Sequence, residues 1–168
     1  MLNTRRLLGG MLAVLLVSGV AGAQTPPVRP RAQTVSTDTP EIAALRVKAN
    51  AGDAAAQFYL GLMYDLAWGV PQDFAQAVAW YRKAAEQGLA NAQFNLGLMY
   101  ATGQGVPQDA VSAYLWFNLS AARGTGETQK KYATTRDALA KTMTPTQIES
   151  GQRLSREWFA AFEKRGGK

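Results

Sequence analysis

The feature that most constrains this chain is a segment that occurs twice. AQFYLGLMY at residues 56–64 returns as AQFNLGLMY at 92–100, and GVPQD at 69–73 returns at 105–109, each displaced by 36 residues. Trp80, Ala85 and Gly88 recur at the same offset as Trp116, Ala121 and Gly124. Aligning 53–88 on 89–124 gives 18 identities in 36 positions. Upstream, RVKANAGDAAAQ at 46–57 echoes RKAAEQGLANAQ at 82–93, so 41–52 reads as the second half of an earlier, truncated unit. A period of this length marks a stack of supersecondary units, each too small to bury its own faces without neighbours.

Within each unit the pattern is that of a helical hairpin. Ala56, Leu60, Met63 and Tyr64 fall at i, i+4, i+7 and i+8 on one apolar stripe of a first helix. Gly61 and Gly97 interrupt that helix at a cost of roughly 1 kcal/mol each relative to alanine, as expected where another backbone comes close. Gly103 supplies a left-handed residue that ends the second copy of this helix. In GVPQD, glycine permits the turn, proline fixes φ and aspartate caps the next helix. Asp73 and Gln76 have capping-box spacing. A second helix then buries Ala77, Trp80, Tyr81 and Ala84, and Gly88 closes it.

Beyond residue 124 the residues no longer repeat. Residues 127–143 read as a helix with Tyr132, Arg136, Leu139, Ala140 and Met143 on one side; Arg136 there is a salt-bridged or carbonyl-bonded structural group. Thr144, Pro145 and Gln147 form a capping box with proline at the first helical position. The helix after it turns Ile148, Leu154, Trp158, Ala161 and Phe162 inward and offers Glu149–Arg153 and Arg153–Glu157 pairs outward. Residues 125–168 are therefore expected to be capping helices.

The pattern A-x-A-Q-F-x-L-G-x-M-Y, then G-V-P-Q-D, then W-Y-R-K-A-A-E-Q-G, resembles the Sel-one-like repeat, a cousin of the tetratricopeptide repeat. The resemblance covers 41–124, with full units at 53–88 and 89–124 and a half unit at 41–52, and extends more loosely over 127–158. It implies an all-α, right-handed α-solenoid of antiparallel helix hairpins, about seven helices in all. It also implies an adaptor or scaffold that binds other proteins. Two residues depart from it: Ala67 stands where glycine is expected, and Trp68 comes next where the second unit has Gln104.

The amino terminus carries an address. Arg5 and Arg6 precede an apolar stretch at 7–20, and Ala21-Gly22-Ala23 places small residues where a signal peptidase cuts, so 1–23 reads as a signal peptide. The stretch falls short of the roughly 20 apolar residues of a spanning helix. A periplasmic or secreted protein with no stable membrane span after cleavage is expected. Residues 24–40, QTPPVRPRAQTVSTDTP, hold four prolines and five serines or threonines and read as a disordered tether.

Composition then removes most chemistries. The 168 residues include no cysteine and no histidine, so thiolate, disulfide, zinc-ribbon and imidazole chemistry are absent. The chain has 18 bases and 12 acids, the basic excess lying outside residues 53–124 and interspersed with acids. No coherent basic face suited to nucleic acid results from that. Asp53, Asp73 and Asp109 read as helix caps, and no phosphate loop, nucleophile elbow or oxygen-rich metal loop is present. No catalytic residue, metal or cofactor is expected.

The two copies differ in one informative way. Between 54–66 and 90–102 only four positions change: Ala55/Asn91, Tyr59/Asn95, Asp65/Ala101 and Leu66/Thr102. Positions 55, 59, 62 and 66 fall within about 60° of helical arc. Packing between units demands sameness, so either these positions are exposed and free to differ, or they line a groove. In the second case Tyr59, Leu62, Asp65, Asn91, Asn95 and Leu98 would take a protein or peptide of the cell envelope on the concave face that the resemblance assigns to first helices, with Trp68 at the rim. The basic positions Lys130, Lys131, Arg153 and Arg156 offer a second surface. The alternative from another class is an envelope glycan (peptidoglycan) binder or glycan-acting enzyme using Tyr59 and Trp68 as platforms near Asp65. The partner's identity and the oligomeric state are not legible in the residues.

Overall fold

A computed structural model describes residues 39–167; the expected signal peptide at 1–23 and nearly all of the expected tether at 24–40 lie outside the described residues. Seven α-helices and no strand occur among the described residues, an all-α solenoid. They are α1 (Pro40–Asn50), α2 (Ala54–Leu66), α3 (Phe74–Glu86), α4 (Ala90–Thr102), α5 (Ala110–Arg123), α6 (Gly126–Ala140) and α7 (Pro145–Lys164). Helix starts are set by capping. Asp53 Oδ1 accepts from the Ala56 amide at 2.7 Å, Asp73 Oδ1 from Gln76 at 3.0 Å and Asp109 Oδ1 from Val111 at 2.9 Å. Thr144 and Gln147 close the capping box of α7 with Pro145 in its first turn. Gly103 and Ala67 both take the left-handed conformation after their helices; Ala67 has φ 56° and ψ 35° and is the sole non-glycine with positive φ among the described residues.

The 36-residue period survives in the backbone further than in the residues. First helices begin at 54, 90 and 126. Each is tied to the preceding second helix by a link that repeats at the same offset. Arg46 Nη1 donates to Tyr64 Oη at 2.9 Å, and Arg82 Nη2 to Tyr100 Oη at 2.8 Å. In the third copy the partners are exchanged, and Arg136 Nη1 donates to Asn118 Oδ1 at 3.0 Å. Buried glutamines do similar work: Gln57 Nε2 reaches the Ala49 carbonyl at 3.0 Å and Gln93 Nε2 the Ala85 carbonyl at 3.1 Å. So α6 is the first helix of a third unit whose sequence has drifted. Arg136 also pairs with Asp137 at 2.8 Å, the structural part expected of it.

Three expectations need correction. The glycines inside the first helices admit an aromatic ring, not a backbone: a Cβ on Gly61 would lie 2.5 Å from Tyr81 Cδ1, and one on Gly97 2.6 Å from Phe117 Cδ1. Next, the two helices expected to cap the array do not pack closely on each other. Both helices pack on α5, and α7 crosses Trp116 with Trp158 (centroids 6.3 Å) and carries Phe162 back to the turn at Gly88. Last, the inward residues of α7 include Gly151, Ser155 and Phe162, whereas Ala161 is exposed. Gly151 is needed because the Tyr114 ring of α5 lies where its Cβ would be.

Candidate functional site

Of the residues that the sequence marks for binding, Tyr59 and Trp68 stand out in solvent, 56% and 58% exposed. With Val47 and Leu66 they are the exposed large hydrophobics among the described residues, and all four fall between positions 47 and 68. Leu62 and Leu98 are half-buried against the core. Position 59 corresponds to 95 and 131, so Tyr59, Asn95 and Lys131 occupy one register position on the three first helices. Asn95 uses that position to reach back to the preceding second helix. For Tyr59 the corresponding second-helix position on α1 is Leu45, which offers no hydroxyl, and the Tyr59 ring packs on Phe58 of its own helix, centroids 5.7 Å apart.

Asp65 and Asn95 come together through a residue that the sequence did not nominate. Tyr81, fully buried, donates its hydroxyl to Asp65 Oδ2 at 3.0 Å, and the Asn95 amide turns to the same hydroxyl from α4. Burial pushes the Asp65 carboxyl above the usual aspartate range. The Tyr81 hydroxyl is raised as well, first by burial and then by the charge of Asp65 beside it. In the next unit the three equivalent positions hold Ala101, Phe117 and Lys131. Acid, hydroxyl and amide have changed together because they meet.

This corrects the premise that packing does not dictate the differing stripe. At 65 and 95 it does, and Asn91 is also engaged, its Oδ1 accepting from Tyr132 Oη of α6 at 2.6 Å. The Tyr81/Phe117 difference was visible in the aligned copies, but only the fold shows which first-helix change it accompanies. Tyr59 and Trp68 show no such side-chain hydrogen bond among the described residues and stand exposed.

Asp53, Asp73 and Asp109 are occupied as caps, Glu86 ends α3, and among the described residues no group of three or more histidines, cysteines, aspartates or glutamates could hold a metal ion. No helix among them is long and apolar enough to cross a membrane. One concavity escaped sequence reasoning, an open cleft of about 600 Å³ lined by Gln57, Lys83, Gln87, Phe162 and Arg165 among others. It exists because α7 folds back across residues much earlier in the chain, which no local pattern signals.

Comparison with known proteins agrees with this geometry. The family model described as the Sel1 repeat matches residues 54–89 and 90–125. The crystal structure of c5321, a protective antigen of uropathogenic Escherichia coli strains displaying an SLR fold, is 34% identical with a TM-score of 0.64, covering 71% of this chain and 27% of that one. A Sel1 repeat protein from Oxalobacter formigenes is 37% identical with a TM-score of 0.46, covering 56% of this chain and 35% of that one. This chain thus spans about a quarter to a third of the length of these two proteins. No curated protein sequence matches. With repeated residues, repeated helix–helix links and a shared fold in agreement, residues 54–89 and 90–125 of this chain are two Sel1 repeats within an all-α solenoid.

Proposed function

We propose that this protein is exported and binds a protein or peptide along the face of its first helices, acting as an adaptor and catalysing no reaction. The observation that carries the reading is the clustering of exposed apolar side chains at one end of the array, Tyr59, Leu66 and Trp68, beside the half-buried carboxylate of Asp65. Contiguous exposed apolar surface marks an interaction site more often than scattered residues do, and aromatic anchors often dominate binding energy. Sel1 repeats generally serve as protein-interaction scaffolds, which supports the same reading. Leu62, Asn91, Asn95 and Leu98 would form the floor, held in place by their contacts to the neighbouring helices.

The test is crosslinking. Protein carrying a photo-reactive residue at position 62 or 98 should capture a polypeptide from envelope extract, and Tyr59→Ala with Trp68→Ala should abolish capture without lowering the melting temperature. Truncating a central aromatic commonly costs about 2 kcal/mol, roughly 30-fold in affinity. Capture unchanged in the double variant refutes the assignment of the face. The export reading is checked by intact mass: cleavage after Ala23 leaves a chain beginning at Gln24 in the soluble envelope fraction.

A further inference from the structure

Helix α1 stands in the array as a second helix without a first. Its Arg46 donates to Tyr64 as Arg82 of α3 donates to Tyr100, the tyrosine lying 18 residues further on in both cases. Helix α3 holds Ala77, Tyr81 and Ala84 at three positions whose counterparts in α5 are Ala113, Phe117 and Ser120; none of the six is more than 1% exposed. The central ring of each set lies on Gly61 or Gly97 of the first helix before it. In α1 the same positions are Glu41, Leu45 and Lys48, and no first helix precedes α1 among the described residues. Glu41, Lys48 and the adjoining Ala44 are exposed, and Leu45 is half-buried. The four fall at i, i+3, i+4 and i+7, one stripe of a helix. Neither Glu41 nor Lys48 forms an ion pair among the described residues.

We propose that this stripe is a homodimer contact, α1 packing antiparallel on α1 of a second copy of the chain. Charge and size both select that occupant. A two-fold axis between positions 44 and 45 sets each Glu41 against the partner's Lys48 and each Ala44 against the partner's Leu45. Opposite charges meet twice and a small side chain faces a larger one twice, the self-complementarity that an isologous interface requires. Head-to-tail stacking is the other way a second copy could reach α1, because α7 packs on α5 and leaves α6 without a closely packed second helix of its own. Charge opposes it. Laying α1 on α6 as α3 lies on α2 would bring Leu45 to Ala133, the counterpart of Gly61 and Gly97. The helices of a hairpin run antiparallel, so Lys48 would then meet Lys130 and Glu41 would meet Asp137. The two-fold contact is small: one 11-residue helix buries well under the roughly 800 Å² per partner of a standard interface, which makes the dimer a weak one.

The test is sedimentation equilibrium of the purified protein at low salt, from micromolar to millimolar concentration. The unaltered protein should approach a dimer and form nothing larger. Glu41→Lys and Lys48→Glu each turn two attractions into two repulsions and should weaken the dimer roughly tenfold. The two variants mixed should form a heterodimer, and Glu41→Lys with Lys48→Glu in one chain should restore the original affinity. If acid and base merely serve the α1 dipole, the doubly swapped chain should instead be the weakest and least helical of the set, and that result overturns the proposal. Growth beyond a dimer, strengthened by Glu41→Lys, overturns it in favour of head-to-tail stacking. Protein that stays monomeric throughout the range overturns it, whatever else covers the face, and so does a dimer equally tight in every variant. None of these substitutions alters Tyr59 or Trp68, so capture of a peptide stands or falls separately.

Discussion

Gly61→Ala is the substitution whose sign tests the packing most directly. In an exposed helix interior this change stabilises by about 1 kcal/mol, the difference in helix propensity. Here the added Cβ would lie 2.5 and 2.6 Å from Cδ1 and Cε1 of Tyr81, more than 1 Å inside contact distance on two ring atoms. The ring has nowhere to go: Tyr81 is fully buried, and its hydroxyl is held by Asp65 on α2 and approached by Asn95 on α4. Overpacking of this kind costs typically 1–3 kcal/mol. Taking the upper end for two clashing atoms and an anchored ring, and subtracting the propensity gain, the net loss is about 2 kcal/mol. Urea unfolding followed by circular dichroism should show a lower midpoint at unchanged slope, and melting should fall by about 8 °C. In a Tyr81→Ala background the same glycine change should become favourable, since the obstructing ring is gone. A higher midpoint for Gly61→Ala alone would show that the helices are not held in ring-on-glycine contact and that the repeat packing is wrong.

Three further outcomes are expected from the same structure. Ala67→Gly relieves a left-handed alanine (φ 56°) and should stabilise by about 0.5–1 kcal/mol in chemical denaturation, the strain less the added chain entropy; destabilisation would refute the loop conformation. Burial raises the Asp65 carboxyl above its ordinary 3.8, so the stability it lends is full below that pH and lost as pH rises through the raised value. Asp65→Asn should therefore stabilise the protein near neutral pH and lose that advantage below about 3.8, and an advantage independent of pH would refute the cause given. Gln57→Leu should cost about 2 kcal/mol, because it strands the Ala49 carbonyl and removes the Oε1 that accepts from Gln87 Nε2 at 2.8 Å. Gln93→Leu should cost less in the same melting experiment, because Gln93 Oε1 is buried with no hydrogen-bond partner to lose.

The sequence by itself determined the architecture of this protein. Duplication at a constant offset, caps at Asp53, Asp73 and Asp109 and turn residues at fixed places are local features, and local chemistry is enough to define helices and their order. The bend at Ala67 was not legible in the same way: Ala67 and Trp68 depart from Gly103 and Gln104 and suggested a differently shaped loop, whereas the backbone takes the same left-handed turn in both copies. Tertiary structure decided what those helices touch. The glycines at 61 and 97 announce close approach, yet nothing local says that a ring and not a backbone arrives. The drift at 65 and 95 looked like freedom from packing because each position was read alone, whereas Tyr81 from a third helix joins them. The third unit was hidden because its links survive by exchange, Arg136 to Asn118 where Arg82 meets Tyr100, which keeps the contact while erasing the residue match. A polar contact needs only a donor and an acceptor in reach, and either helix can supply either one.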